Sequence, residues 1–178
     1  MKIDVPTGRI GIFISGGLDS AVLYHLLLQE NKEVIPLLVH KNPYQQQFAL
    51  GVIEYLQDLH NIKAEPVLLK SRNIKLAIQE AFLNQFKVVY LGVIKELTQF
   101  LVDWSPNNFK ETKWVRGPLI DLDKTDIVKL AIENNLQHLF YITHSCAVQE
   151  TGRCLTCNRC RERAWAFNQL GLTNDGTL

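Results

Sequence analysis

The sequence predicts an α/β fold, a doubly wound and mainly parallel β-sheet with a small C-terminal region that carries cysteines. Short apolar runs alternate with helical patterns along residues 1–142, and the joints between them are short. Repeated β-α units of this kind favour a parallel sheet with helices on both faces. All four cysteines lie between Cys146 and Cys160, so we expect residues 143–178 to form a compact cysteine-bearing region packed on the same domain.

The spacing of apolar side chains sets the predicted elements in chain order. Short runs rich in apolar residues predict strands, and apolar positions three and four apart predict helices. The predicted strands span residues 10–15, 34–39, 64–69, 88–91, 113–116 and 140–142. The predicted helices span residues 19–29, 44–59, 74–85, 96–102 and 124–134, the last with Asp123 as its N-cap. Pro36 is expected near the start of its strand or at an unpaired position, because proline has no N–H to donate.

Composition disfavours several classes of function. The formal net charge of the 178 residues is +1 and the sequence pI is about 7.7, which disfavours a nucleic-acid partner or an anionic membrane surface. No apolar run approaches the roughly 18 residues of a membrane span, and residues 1–9 contain no apolar signal stretch. We therefore expect a cytoplasmic protein that acts on small molecules.

A glycine turn between the first predicted strand and helix predicts a phosphate site. Paired glycines let the backbone turn sharply and approach a ligand closely, and the helix that follows presents its free N–H groups and positive dipole end. The carboxylate in the turn either caps the helix or holds a metal ion that accompanies phosphate. An ordinary strand-turn-helix joint is the alternative. The turn consists of Ser15, Gly16, Gly17, Leu18, Asp19 and Ser20.

The cysteine spacing predicts a metal site. Cys146 is followed by a seven-residue gap and then by Cys154, Cys157 and Cys160, two Cys-x-x-Cys steps that share the middle cysteine. Four thiolates suit structural zinc, and an iron–sulfur cluster is the main rival. A disulfide pair is disfavoured without a secretory signal, and an isolated redox pair would leave two cysteines unexplained.

These two features together resemble the 7-cyano-7-deazaguanine synthases of the queuosine pathway, nearly end to end. The Ser-Gly-Gly-x-Asp-Ser string resembles the pyrophosphate-binding loop of ATP-pyrophosphatases, which turn ATP into AMP and pyrophosphate. The cysteines match the zinc knot of the family in number and spacing. The C-terminal match includes Thr143-His144-Ser145-Cys146, residues 154–163 and Phe167, and shorter matches are Tyr44-Gln45-Gln46, Gly92-Val93, residues 104–109 and Pro118-Leu119 with Lys124.

The resemblance implies an ATP-dependent carbon–nitrogen ligase that forms a nitrile. Its substrates would be ATP, ammonia and 7-carboxy-7-deazaguanine, with Mg²⁺ on the phosphates and Zn²⁺ on the four cysteines. Residues 1–142 would be the nucleotide-binding α/β domain and residues 143–178 the zinc-binding region; family members are often dimers. Asp19, Ser20 and Lys124 would act in catalysis, and residues 15–20 would grip the pyrophosphate. The substrate would contact Tyr44, Gly92, Asp103, Trp104, Asn107 and Phe109.

The chain departs from the family pattern in its substrate segment. Residues 102–109 replace the sequence that normally presents an aspartate to the base, and His144 stands at an aromatic position. The same turn-rich segment is either a lid or a surface connection. Three alternatives remain for the function. They are an ATP-pyrophosphatase (PP-loop) enzyme that modifies tRNA, a related ligase for another carboxylate, and a non-catalytic nucleotide sensor.

Overall fold

A computed structural model describes residues 1–31, 33–39, 43–95, 97 and 109–173. Five strands form one sheet in the order β3-β2-β1-β4-β5, and every neighbouring pair is parallel. The predicted parallel α/β fold is confirmed. The elements are β1 (Ile10–Phe13), α1 (Leu18–Glu30), β2 (Ile35–Val39), α2 (Pro43–His60), β3 (Val67–Leu69), α3 (Ile74–Leu83), β4 (Val88–Leu91), β5 (Val115–Arg116), α4 (Lys124–Glu133), α5 (Leu139–Ile142) and α6 (Asn158–Gln169).

The two faces of the sheet bury two separate apolar clusters. Successive side chains of a strand point to opposite faces, so Ile12 and Tyr90 enter the larger cluster while Phe13 and Leu91 enter the smaller one. The larger cluster is built with α1, α2, α4, α5 and α6, and the smaller one with α3. Apolar runs without alternation, as in β1 and β4, therefore reflect strands buried on both faces.

Helix α1 is buried almost all round. It packs against α2, α4 and α5 as well as the sheet, which explains why its sequence is apolar on every side instead of in one stripe. Helix α2 is amphipathic and buries Ala49, Val52, Ile53 and Leu56. The sequence thus places α1 at the centre of the helical layer, directly after the glycine turn.

The strand order reverses at β1, which lies between β2 and β4. Ligands of open α/β sheets bind outside the carboxyl ends of the strands at such a reversal. Residues 15–20 follow β1 and Gly92 follows β4, so both lie at this point of the sheet.

One predicted element is wrong and others are shorter. Residues 140–142 belong to a single helical turn, α5, in which Leu139 and Phe140 are buried and Tyr141 is half exposed. This turn closes on carbonyls of residues 136–138, so the apolar run packs on the helical layer instead of extending the sheet. Strands β3 and β5 keep only three and two residues. The predicted helix at 96–102 falls almost wholly outside the described residues.

Helix α6 was missing from the predicted elements, yet it completes the main core. It packs against α4, and its Ala166 and Phe167 are buried in the larger cluster, where Phe167 meets Phe140 edge to face at 4.7 Å. The C-terminal region therefore shares its core with the rest of the chain. Among the described residues, no helix combines the length and the apolar character needed to cross a bilayer.

Acid is expected to destabilise the fold through His25. Burial in α1 lowers the pKa of His25 from 6.5 to about 4, and His60, whose Nε2 lies 3.0 Å from His25 Nδ1, adds to this effect. Between these two pH values the unfolded chain binds the proton that the folded chain refuses, so stability falls as pH falls and about 3 kcal/mol is lost by pH 4. Urea unfolding at several pH values measures this loss.

The matching variants isolate the contribution of His25. His25→Leu should remove most of this pH dependence, and the difference from wild type cancels groups that titrate in both proteins. His138→Ala, at an exposed histidine, should keep the wild-type slope. An unchanged slope in His25→Leu would contradict the assignment.

Candidate functional site

The glycine turn is fixed by its own hydroxyl groups. The Ser15 and Ser20 hydroxyl oxygens lie 3.0 Å apart, Ser15 N–H donates to Ser20 Oγ at 3.2 Å, and Gly17 N–H donates to Ser15 Oγ at 3.2 Å. Ser20 Oγ–H in turn donates to the Gly17 carbonyl at 3.1 Å. The turn therefore has a defined shape before any ligand arrives.

Gly16 is required at its position for two independent reasons. Its φ of +82° lies in the left-handed region, and a Cβ there would lie 3.0 Å from Ala49 N and 3.0 Å from Phe48 Cβ. Gly17 is the N-cap of α1 and has no side chain to occupy the first N–H groups of the helix. These donors and the helix dipole therefore remain available to an anion.

Gly92 brings the end of β4 against the start of α1. A Cβ on Gly92 would lie 2.7 Å from Ser20 N and 2.8 Å from Ser20 Cα, which are backbone atoms. A real Cβ does not reach such distances, so a side chain at this position would push the two elements apart. The absence of a side chain at Gly92 lets the end of β4 lie against the glycine turn, and contact of Gly92 with substrate stays a prediction.

Gly92→Ala is expected to destabilise the protein by about 2 kcal/mol, since overpacking at rigid backbone typically costs 1–3 kcal/mol. The matched control is Gly51→Ala in α2, where nothing lies within 4 Å of an added Cβ, and there alanine should stabilise the helix by roughly 0.5–1 kcal/mol. Thermal unfolding of both variants measures the opposite signs. Equal melting temperatures would contradict the close approach at Gly92.

Lys124 is a buried cation that reaches the glycine turn. Its Nζ lies 2.6 and 2.7 Å from the two Asp19 carboxylate oxygens and 4.0 Å from Glu162 Oε2, and Lys124 is only 5% exposed. Lys124 is the first residue of α4, and Asp123 and Asp126 form a capping box at this end of the helix. A cation in the first turn opposes the helix dipole, so the two carboxylates compensate for an otherwise unfavourable position. The predicted N-cap, Asp123, is confirmed.

A cavity of about 590 Å³ opens beside the turn at the carboxyl ends of β1 and β2. Its floor is apolar, and its rim contains amide and cationic side chains. A site with these dimensions and this mixture of groups suits a nucleotide-sized ligand. The lining residues are Phe13, Ile14, Ser15, Leu38, Val39, Gln45, Gln46, Ala49, Arg72, Asn73, Ile74, Lys75 and Arg159.

The four cysteines converge as the spacing predicts. The sulfur atoms of Cys146, Cys154, Cys157 and Cys160 all lie within 4.8 Å of one another. Tetrahedral zinc, with Zn–S bonds of about 2.3 Å, sets its sulfur atoms about 3.8 Å apart. The cluster therefore fits a closed four-sulfur metal site, with no position left for water or substrate.

Hydrogen bonds prepare two of these thiols to ionise. Burial acts to raise the pKa of Cys146, but N–H groups of Gln149 and its neighbours outweigh burial and lower it. The Thr156 side chain and the Cys157 N–H lower the pKa of Cys154 to about 5. Burial raises the pKa of Cys160 to about 12. Because metals bind thiolates, metal binding at the cluster must displace the Cys160 proton.

The segment between α5 and the cysteines is held by Arg163, which is fully buried. Its guanidinium donates to Thr143 Oγ1 at 3.1 Å, to Ser145 Oγ at 3.4 Å and to the Phe140 carbonyl at 2.8 Å. A buried guanidinium persists only where its donors are satisfied, so this residue fixes residues 143–145 next to the glycine turn.

Comparison with known proteins assigns the chain to a family. A family model described as "Queuosine biosynthesis protein QueC" matches residues 80–171. A 7-cyano-7-deazaguanine synthase of Nautilia profundicola is 36% identical over 210 residues, which covers 90% of this chain and 94% of that protein. This chain belongs to the 7-cyano-7-deazaguanine synthase family. The predicted resemblance is thus confirmed.

A second 7-cyano-7-deazaguanine synthase, of Acetivibrio thermocellus, is 24% identical over 214 residues, covering 93% of this chain and 96% of that protein. Both aligned stretches exceed the 178 residues of this chain, so these synthases contain insertions relative to it. A solved NMN synthetase of Francisella tularensis has a TM-score of 0.49 at 12% identity, covering 97% of this chain and 88% of that chain, a likeness too slight to bear on function.

The structure describes two of the five remaining substrate residues that the synthase resemblance predicted. Tyr44 lies in the first turn of α2 and is 43% exposed. Phe109 is partly buried, packs on the smaller apolar cluster and contacts Gly117. Asp103, Trp104 and Asn107 lie outside the described residues. Contact of these five side chains with substrate stays a prediction.

Several charged residues of the site escaped the sequence-based prediction. Arg72 and Lys75 flank the start of α3, Arg159 lies between two cysteines, and Glu162 lies near Lys124. Arg72 follows the carboxyl end of β3, so the rule for open α/β sheets offered a signal for it. Arg159 and Glu162 lie in the stretch 154–163 that resembles the family, but no local pattern indicated their positions, because only the folding of the cysteine segment brings them to the cavity and to Lys124.

Proposed function

We propose that this chain is an ATP-dependent ligase that converts 7-carboxy-7-deazaguanine and ammonia to 7-cyano-7-deazaguanine. The observation that carries the proposal is the ion pair of Lys124 with Asp19 in a chain of this family. Asp19 belongs to the glycine turn of residues 15–20, which is the phosphate turn of this proposal. The turn supplies N–H and hydroxyl donors, and the pair supplies one cation and one carboxylate. These are the groups that a reaction releasing pyrophosphate requires.

The chemistry proceeds through adenylation because a carboxylate oxygen is a poor leaving group. A carboxylate oxygen attacks the α-phosphorus of ATP, and the bond to the β-phosphate oxygen breaks to release pyrophosphate. Ammonia then attacks the acyl carbon, and AMP leaves with one proton lost, which gives the amide. A second ATP adenylates the amide oxygen with release of pyrophosphate, and loss of AMP together with both amide protons gives the nitrile.

The residues of the turn act by position and charge. Ser15, Gly17 and Ser20 would hold the departing pyrophosphate at the N-terminus of α1, where the helix dipole favours an anion. Lys124 would offset the negative charge that develops on the leaving group. Preorganised donors of this kind contribute about 10²–10³-fold each to rate. The reaction needs no covalent nucleophile.

Magnesium fits the site at Asp19. Mg²⁺ is held in nucleotide sites by one or two carboxylates together with substrate phosphates, and the Asp19 side chain is 23% exposed beside the turn. The ion would neutralise phosphate charge and orient the α-phosphate. Asp19 therefore balances Lys124 in the free protein and would serve the ion when ATP binds.

The cavity beside Ser15 would take the adenosine part of ATP. Apolar side chains of β1 and β2 form its floor, which suits a planar base, while Gln45 and Gln46 provide amide donors and acceptors. Arg159 lines the same cavity from the cysteine segment. This segment would then complete the nucleotide site of residues 1–142 instead of forming a separate domain.

Zinc would have a structural role at the four cysteines. A closed four-sulfur shell leaves no position for water activation, so the ion would hold residues 146–160 in place. Free thiolates persist in a reducing compartment, which is consistent with a cytoplasmic enzyme.

Incubation with ATP, Mg²⁺, ammonium and 7-carboxy-7-deazaguanine tests the function. The expected products are AMP, pyrophosphate and the nitrile, with two AMP per nitrile, followed by mass spectrometry. AMP formation that depends on another carboxylate would redirect the proposal to a related ligase. ATP binding with no AMP formation from metal-loaded protein would favour a nucleotide sensor and overturn the ligase.

A further inference from the structure

The backbone of His144 touches the phosphate turn directly. Its N–H donates to the Gly16 carbonyl at 2.8 Å, and its carbonyl oxygen lies 3.7 Å from the position of a Cβ on Gly17. Gly16 is the residue with positive φ on which the shape of the turn depends. Movement of residue 144 would therefore move an atom of the turn.

The side chain of His144 has one contact on a ring face and one at a ring nitrogen. Its ring stacks on Phe48 of α2 with centroids 4.5 Å apart and planes 14° from parallel. Its Nε2 lies 3.0 Å from the Gln149 carbonyl oxygen, and since a carbonyl only accepts, Nε2 carries the hydrogen. The ring thus links α2 to residue 149.

Residue 149 in turn belongs to the surroundings of the metal site. The N–H groups of Gln149 and Val148 donate to Cys146 Sγ at 3.2 and 3.4 Å. These two hydrogen bonds tie the backbone of residues 148 and 149 to one of the four clustered sulfur atoms. A continuous path therefore runs from Cys146 through Gln149 and the His144 ring to the Gly16 carbonyl.

We propose that the His144 side chain is a positioning residue that couples the phosphate turn to the cysteine cluster, so that a nucleoside triphosphate at the turn and a metal ion at the cysteines strengthen each other's binding. The proposal rests on the proposed function for the ligand at the turn. A side chain that only filled space would stabilise the free and loaded forms alike and would leave the two affinities independent.

Reciprocity makes the coupling measurable without turnover. If the metal raises the affinity for the triphosphate by some factor, the triphosphate raises the affinity for the metal by the same factor. The probe is α,β-methylene-ATP with Mg²⁺, in which the bond that the reaction would break is replaced. Zinc affinity is measured on the full chain by competition with a chelator, with and without a saturating amount of the probe.

In the wild-type protein, the probe is expected to tighten zinc binding by about fivefold or more, within the usual range of coupling between sites. In His144→Ala the ratio should fall close to one, because the ring no longer ties residue 149 to α2. In His144→Phe the stack remains but the donor to Gln149 is lost, so the ratio should lie below that of the wild type. Using the same probe concentration throughout cancels any zinc that the probe itself binds.

His138→Ala is the matched control. The His138 ring also packs on an aromatic side chain of α2, Tyr55, at 4.8 Å, and its removal should leave the wild-type ratio. A wild-type ratio in His144→Ala, with the probe bound, would overturn the coupling and leave the ligase intact. Failure of the probe to bind zinc-loaded wild-type protein would overturn the coupling and the proposed function together.

Discussion

Lys124→Met is expected to lower AMP formation by about 10²–10³-fold, because the variant loses the cation that we propose offsets charge on the leaving pyrophosphate. Methionine keeps much of the length and the apolar stem of lysine, so the core around α4 should remain packed. The loss should fall mainly on kcat, since the charge develops in the transition state. Steady-state kinetics at varied ATP concentration measures kcat and KM separately.

The same helix offers the control for Lys124. Lys129 is half exposed and pairs with Asp126 at 3.7 Å on the surface of α4, a pair worth about 0–1 kcal/mol. Lys129→Met should therefore retain wild-type kinetics. Retention of most activity in Lys124→Met would remove the lysine from the mechanism.

Asp19→Asn should also abolish turnover while the chain stays folded.

Loss of one of the four clustered cysteines is expected to have the largest effect on the stability of zinc-loaded protein. Structural zinc sites bind with about 10–16 kcal/mol, so removal of one of four ligands in Cys160→Ser should cost roughly 3 kcal/mol or more. For a chain of this length that corresponds to a fall in melting temperature of roughly 10 °C. Cys160 is 1% exposed, so water cannot easily replace its sulfur atom as a ligand.

Chelation provides the internal check on this loss. A strong chelator should lower the melting temperature of the zinc-loaded wild type and leave that of Cys160→Ser nearly unchanged. Val148→Ala, at a 70% exposed side chain between two cluster residues, should respond to the chelator as the wild type does. Metal analysis that finds iron with sulfide would replace zinc by an iron–sulfur cluster.

Local chemistry made the phosphate turn and the start of α4 predictable. Paired glycines between an apolar run and a helical pattern leave few conformations for residues 15–20, and Asp123 marks its helix with a side chain that accepts from two N–H groups. The cysteine cluster was predictable for a similar reason, because four ligands within fifteen residues converge through local turns. The features that the sequence predicted are therefore those formed by residues close together in the chain.

Long-range arrangement explains what the sequence did not reveal. Asp19 and Lys124 are 105 residues apart, and no local pattern indicates that they form a bidentate pair. The apolar run at residues 140–142 satisfies the rule for a strand. In the folded chain it forms a helical turn that packs on the helical layer and does not pair with the sheet. The cationic rim of the cavity likewise comes from α3 and the cysteine segment, which meet only in the folded chain.

The burial of Ala166 and Phe167 in the main core has a consequence for evolution and for protein engineering. A cysteine-bearing region that could be exchanged between proteins would have its own core and would dock through a polar surface. Here the C-terminal region contributes side chains to the main core, so a chain cut after residue 142 would expose apolar core residues and aggregate. We expect the two parts to be expressed, to unfold and to diverge in evolution as one unit.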